Sequence, residues 1–165
     1  MAVFVGSPTA TDQRTLATQR PQFNTQDGWV ITHGRWTHTA TQGAGTGEIN
    51  MVTLPAGKKQ VNAAASWVKT SGTAFTATSD LHIGFRAYRD PSLDTAAQSI
   101  AEDDNYFADN LDVGGGALDQ AWPLPTTGIV TINSAGLFHI YTMIDTADIT
   151  VGAIVDVWVV WRPIS

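Results

Sequence analysis

The chain has 165 residues, 43% of them apolar, no cysteine and a formal net charge of −6. Roughly 70% of the unfolded surface of a chain this long can be buried, so one domain needs no staples, and the lack of cysteine excludes a disulfide framework and thiolate metal sites. Residues 1–79 carry three acids and six bases and residues 80–165 twelve acids and three bases, an acidic balance with no basic stripe that argues against a nucleic-acid partner.

Residues 1–28 read as an extended arm, rich in Thr, Gln and Ala and punctuated by Pro8 and Pro21. Their apolar beads Val3, Phe4, Val5, Leu16 and Phe23 follow no period, so the segment cannot build its own core and is expected to lie along a neighbour's surface or to stay disordered. From Trp29 the pattern turns to strands. "WVITH" and "RWTHT" flank Gly34, which suggests a short hairpin or a bulged strand. The Gly/Thr-rich "ATQGAGTG" follows as a loop, then "EINMVTL" as a strand and "LPAG" as a turn, where Pro55 pre-sets φ and Gly57 supplies a permissive backbone. "QVNAAASWV" comes next, with Val61, Ala63, Ala65 and Trp67 expected on one face, and "SGTAFTATS" is a turn-rich edge.

"DLHIGFRAYR" alternates Leu81, Ile83, Phe85 and Ala87 with His82, Gly84, Arg86 and Tyr88, the period-two signature of a half-buried strand. In "DPSLDTAAQSIAEDD", Leu93, Ala96, Ala97 and Ile100 recur at helical spacing behind possible caps Asp90 or Ser92, so one short helix is expected. The acidic, glycine-punctuated "NYFADNLDVGGGALDQAWPLP" reads mostly as loop with one short strand. "GIVTI", "NSAG" and "LFHIYTMID" form an expected hairpin. The closing "AIVDVWVVW" puts Val155, Val157, Val159 and Trp161 on one face, with Ile154, Trp158 and Val160 on the other. A strand apolar on both faces sits inside a sheet or at a subunit contact, which nominates Trp158 and Trp161 as subunit-contact residues. The whole pattern predicts an all-β fold, a single jelly-roll-like antiparallel sandwich over residues 29–165 with one short helix and an arm over 1–28. No run is long and apolar enough to cross a bilayer and no secretory signal opens the chain, so a soluble protein with no membrane partner, made without export, is expected.

Chemistry is harder to find. His33 and His38 with an acid are candidates for zinc, but no third ligand is identifiable and an odd separation in a strand sends side chains to opposite faces. Glu102, Asp103, Asp104, Asp109, Asp112 and Asp119 are enough carboxylates for calcium or simply a solvated acidic loop; they fit no EF-hand spacing. "GAGTG" lacks the third glycine and the helix of a dinucleotide fingerprint. There is no G-x-S-x-G elbow, no P-loop, no cysteine nucleophile and no nominated carboxylate pair. No catalytic, metal or cofactor-binding residue is therefore nominated, and no enzyme is expected. Among the six tryptophans, Trp67, Trp158 and Trp161 fall in strands as core or interface. Trp29, Trp36 and Trp122 lie nearer loops and are the candidate ligand platforms.

The run "GTGEINMVTLPAG", the middle segment "LHIGFRAYRD" and the closing strand around "IVDVWVVW" resemble small jelly-roll virion proteins of tailed bacteriophages, more closely capsid cement (decoration) proteins. The similarity covers roughly residues 47–162 and lies in the order of strands and turns. It implies a non-enzymatic structural protein of the virion, made in the host cytoplasm and placed on the capsid surface. There it would bind the major capsid protein lattice as a homotrimer, with an extended arm reaching across capsomer seams. The alternative is a phage tail or receptor-binding β-sandwich module that binds carbohydrate, resting on the loop tryptophans and on the acidic loop as a calcium candidate.

Overall fold

Every long strand of this chain has an apolar row that must be hidden, and two sheets facing each other hide all of them at once. The computed structural model describes residues 2–3, 22–23, 28–39, 47–71, 75, 78–95, 98–123, 128–144 and 149–165. Its strands in chain order are β1 (Ala2–Val3), β2 (Gln22–Phe23), β3 (Val30–Thr37), β4 (Gly47–Leu54), β5 (Gly57–Thr70), β6 (Asp80–Phe85) and β7 (Tyr88–Arg89). They continue with β8 (Ser99–Ile100), β9 (Asp103–Asp112), β10 (Asp119–Ala121), β11 (Ile129–Ser134), β12 (Phe138–Ile144) and β13 (Ile154–Pro163). One sheet has the order β1-β4-β12-β6-β9. The other runs β10-β5-β13-β3-β2, with β11 also paired to β5. β11 lies beside Gly57–Asn62 and β10 beside Trp67–Lys69, in tandem along one edge of β5. The all-β sandwich expected from the sequence is present.

The interior is aromatic and aliphatic. Trp36, Phe107, Phe138, Ile49, Met51, Ile83 and Val157 are buried there. Rings meet edge-on or tilted, as between Phe85 and Phe138 at 5.6 Å and Phe107 and Trp122 at 5.2 Å. The sheets approach closely at Gly34, where a Cβ would come within 2.9 Å of the Met51 carbonyl carbon. This explains the glycine in mid-strand: β3 is one continuous strand, and Gly34 makes room for β4 rather than a turn.

Four other expectations need correction. No helix occurs among the described residues of 90–104. Asp90 Oδ1 accepts from Ser92 N and Oγ, Asp94 Oδ1 accepts from Thr95 N, and Leu93 stays exposed. A short isolated helix is marginal, and these local bonds compete with it; the excursion is closed instead by β7 against β8. The acidic stretch expected to be loop forms β9, a ten-residue edge strand that turns Phe107, Ala108 and Leu111 inward. β11 and β12 do not make a hairpin. They belong to different sheets, so "NSAG" is a corner between layers, as "LPAG" is between β4 and β5.

The fourth correction concerns β5. Asn62 pairs with Val160 and Trp67 with Trp158, so five steps on β5 oppose two on β13. Ser66 Oγ donates to Asn62 O and accepts from Val160 N, while Ala65 N donates to Asn62 Oδ1. The wide bulge moves three extra residues out of the ladder and inverts the strand's facing. Val61 and Ala63 point inward before it, Ser66, Val68 and Thr70 after it. Ala65 and Trp67 are thereby exposed.

Candidate interaction surface

Inverting β5 places Trp67 on the outer face of the β10-β5-β13-β3 sheet, where the ladder pairs it with Trp158, and Trp158 with His33. Trp67 is 40% exposed. The His33 and Trp158 rings are stacked, 4.6 Å between centroids and 12° between planes. Adjacent strands lie about 4.8 Å apart, so these two rings stand upright on the sheet and cover each other's faces. With Ala121 opposite Trp67, they form a row across four strands: His33, Trp158, Trp67, Ala121.

Two residues further along the strands runs a second row, Arg35, Asp156, Lys69, Asp119, again neighbour paired with neighbour. Its charges alternate. Arg35 Nε and Nη2 donate to the two Asp156 oxygens at 2.8 and 2.9 Å, and His33 Nε2 lies 2.7 Å from Asp156 Oδ1. Burial pushes the Asp156 carboxyl up, but the hydrogen bonds from His33 and Arg35 together outweigh it and hold the group below its ordinary value. The same bond raises Arg35. Lys69 Nζ and Trp67 Nε1 donate to the two oxygens of Asp119 at 2.9 and 2.7 Å, which lowers that carboxyl. Opposite charges directly across strands stabilise a sheet, and here they also fix the Trp67 indole in place.

The other sheet is closed on its outer side. Asp103 and Asp104 of β9 pass over Gly84, where a Cβ would come within 2.6 Å of Asp104 Cα. Arg86 pairs with Glu48, reaches Glu102 at 3.4 Å and Asn50 Oδ1 at 3.1 Å, and lies 4.2 Å over the Tyr141 ring. Burial first, then Glu102, Glu48 and Asp104, push the Tyr141 hydroxyl far up. His82 Nδ1 meets Asp109 Oδ1 at 2.9 Å.

The nominated residues separate. Trp158 is on the outer face described above. Trp161 turns inward against the core, its Nε1 donating to Thr32 Oγ1 at 2.9 Å. Of the arm residues, Phe4, Val5 and Leu16 lie outside the described residues. Val3 belongs to β1, which pairs in parallel with Gly47 and Glu48, and Phe23 to β2, which pairs with Val30 and Ile31; the structure places their backbones on sheet edges of the same chain. Two of the candidate platforms do not hold, since Trp36 and Trp122 are buried in the core; Trp29 is half-buried, with the Arg162 guanidinium 4.7 Å over its ring. Nearness to a loop in sequence did not translate into exposure. Zinc between His33 and His38 is not supported either, since His33 faces outward to Asp156 and His38 is buried near Trp36. Among the described residues no three of His, Asp or Glu converge as metal ligands. The sequence carried no local sign of the Trp67 surface, because the bulge that exposes it depends on partners on β13.

No protein-family model matches the chain, and no curated protein matches it. The fold is similar to a chain of the solved "Capsid of Ralstonia phage GP4", with a TM-score of 0.50 and 11% identity over 93% of this chain and 96% of that one. At that identity the likeness establishes a shared fold, matched nearly end to end.

Proposed function

We propose that this chain is a non-enzymatic structural protein of a bacteriophage virion, which seats on the outer surface of the capsid as a homotrimer and cements the major capsid protein lattice. The observation that carries this reading is the end-to-end fold likeness to a chain of a phage capsid. Eight of the strands, ordered β3-β13-β5-β11 in one layer and β4-β12-β6-β9 in the other, are read as a jelly roll, a double-sheet architecture used in capsids. The chemistry agrees in kind. Ion pairs run across its strands, as between Arg35 and Asp156 and between Lys69 and Asp119, and the exposed Trp67 indole stands in a face suited to contact. Reinforcing a shell takes broad, repeated contact, with specific interfaces burying about 1,200–2,000 Å², and multiplicity offsets the weakness of each copy.

The carbohydrate-binding alternative loses support, because two of its three tryptophan platforms are core and one side of the third is occupied by Arg162. The cement reading assigns the arm, residues 1–28, to contact with the shell. Capsids of the phage that encodes the chain, incubated with full-length protein or with residues 29–165 and sedimented, test it. Full-length protein is expected to co-sediment at a fixed stoichiometry, and the truncated form, shown to be folded by its melting transition, is expected to stay in solution. Equal binding of the two would remove the arm from the account; no binding of either would remove the capsid.

A further inference from the structure

The outer face of the β10-β5-β13-β3 sheet is charged and aromatic in a pattern that has a definite complement. Solvent-facing sides of antiparallel sandwiches are normally polar. Here β13 presents Ile154, Trp158 and Val160 outward, β3 adds Ile31, and β5 adds Trp67. Across this face, the row Arg35, Asp156, Lys69, Asp119 reads plus, minus, plus, minus, and a row of even length with alternating signs is the inverse of itself when reversed.

We propose that this face docks against the same face of a second copy of the chain, about a two-fold axis lying parallel to the strands. Such an axis, midway between β13 and β5, exchanges β13 with β5 and β3 with β10. Arg35, 55% exposed, then meets the exposed Asp119 of the second copy, while Lys69 of the second copy lies above Asp156, whose carboxylate is only 5% exposed beneath Arg35. In the neighbouring row Trp158 meets Trp67 of the second copy, and the bulky His33 lies over its small Ala121. The other in-plane two-fold, along the rows, stacks Arg35 on Arg35 and Asp156 on Asp156, so the charges select one orientation. Sheets packed face to face keep their strands roughly aligned, as this axis does.

The side chains are set for that contact before it forms. Arg35 spends two of its five N–H groups on Asp156, and its side chain is 55% exposed, so it is open to an acceptor outside the chain. Asp119, though bonded to Lys69 and Trp67, retains acceptor capacity on both oxygens and is itself exposed. Four strands at about 4.8 Å spacing and the length of Ile154–Val160 give a face on the order of 400 Å² per copy. Twice that lies below the standard interface size, so the pair is weak in free solution and grows in population with concentration. The inference goes beyond the capsid reading and stands or falls without it; if the chain is first assembled through other surfaces, this contact joins those assemblies in pairs.

Sedimentation equilibrium of the full-length chain over a wide concentration range tests it. The wild type is expected to double the mass of its basal species as concentration rises. Arg35→Asp and Asp119→Arg, each shown to be folded by a cooperative melting transition, are each expected to weaken that doubling at least tenfold, because each sets like charge against like. Mixed one to one, the two variants are expected to pair again. In the mixed pair the new Asp at 35 meets the new Arg at 119, and the native Arg35 meets the native Asp119. Only a two-fold contact of this register restores both. Absence of doubling in the wild type, full doubling in either variant alone, or a mixture no better than its components would overturn the proposal. Should Arg35→Asp fail to fold, Trp67→Lys in the otherwise native chain serves instead: loss of doubling supports the contact, and retained doubling refutes it.

Discussion

Lys59 sits where the two layers are joined. It is 1% exposed, and its Nζ donates to Gly57 O at 2.7 Å and Ser134 Oγ at 2.8 Å. Ser134 in turn donates to Gly136 O at 2.8 Å, so one amine ties the corner after β4 to the corner after β11. Burial pushes its pKa down from 10.5 to about 8. Between those values the unfolded chain holds a proton that the folded chain has released, so folding stability rises with pH through that window. Below pH 8 the folded state carries the full penalty, and at 1.36 kcal/mol per pKa unit the span comes to about 3 kcal/mol. Tyr141, whose pKa burial raises, acts in the opposite sense above its ordinary value of 10, so the rise is confined to pH 8–10. Urea unfolding of the wild type and of Lys59→Met between pH 7 and 10 isolates the effect. The difference in stability is expected to move toward the wild type by up to about 3 kcal/mol as pH rises. Parallel curves for the two proteins would show that the amine titrates alike in both states, and the buried-clamp reasoning would be wrong.

Trp36→Ala, at a fully buried indole of the core, is expected to cost about 3–5 kcal/mol in chemical denaturation. Gly34→Ala forces β3 away from the Met51 backbone and should cost about 1–3 kcal/mol, whereas Gly136→Ala, which meets nothing within 4 Å, should change the midpoint little. Asp156→Asn removes the charge held by Arg35 and His33 and is expected to cost about 1–2 kcal/mol at pH 7. Because the folded-state pKa of Asp156 is depressed, that difference is fully present above the ordinary carboxylate value and fades as pH falls through the folded one, which acid titration of both proteins will show.

The strands could be read from the sequence wherever apolar residues recur at every second position. Leu81, Ile83 and Phe85 are buried as expected, and so are Val155, Val157 and Val159 on β13, but β6 stops at Phe85 and Ala87, expected on the same face, is exposed. What could not be read was decided by contacts between distant segments. Nothing in "NSAG" says whether its flanking strands pair with each other or with β5 on one side and β4 and β6 on the other. The parity of β5 turns on Ser66 and Asn62 meeting β13, so Trp67 was expected in the core or an interface and stands exposed. β9 looked like a loop because its acids and the glycines after it dominate its composition, while the residues that commit it to the sheet, Phe107, Ala108 and Leu111, are few. The helix expected after Asp90 is replaced by local bonds from Asp90 and Asp94 and by the β7–β8 pairing, which holds Ile100 against the core. The candidate interaction surface was half legible: Trp158 could be nominated from a strand apolar on both sides, but its partner row could not.

The role proposed for the chain is adhesion to a capsid. Electron cryomicroscopy of capsids lacking the chain, imaged before and after addition of the purified full-length protein, tests it most directly. The account predicts new density outside the shell at repeating lattice positions, into which the β-sandwich fits as a three-fold cluster. An unchanged shell at saturating protein would contradict it.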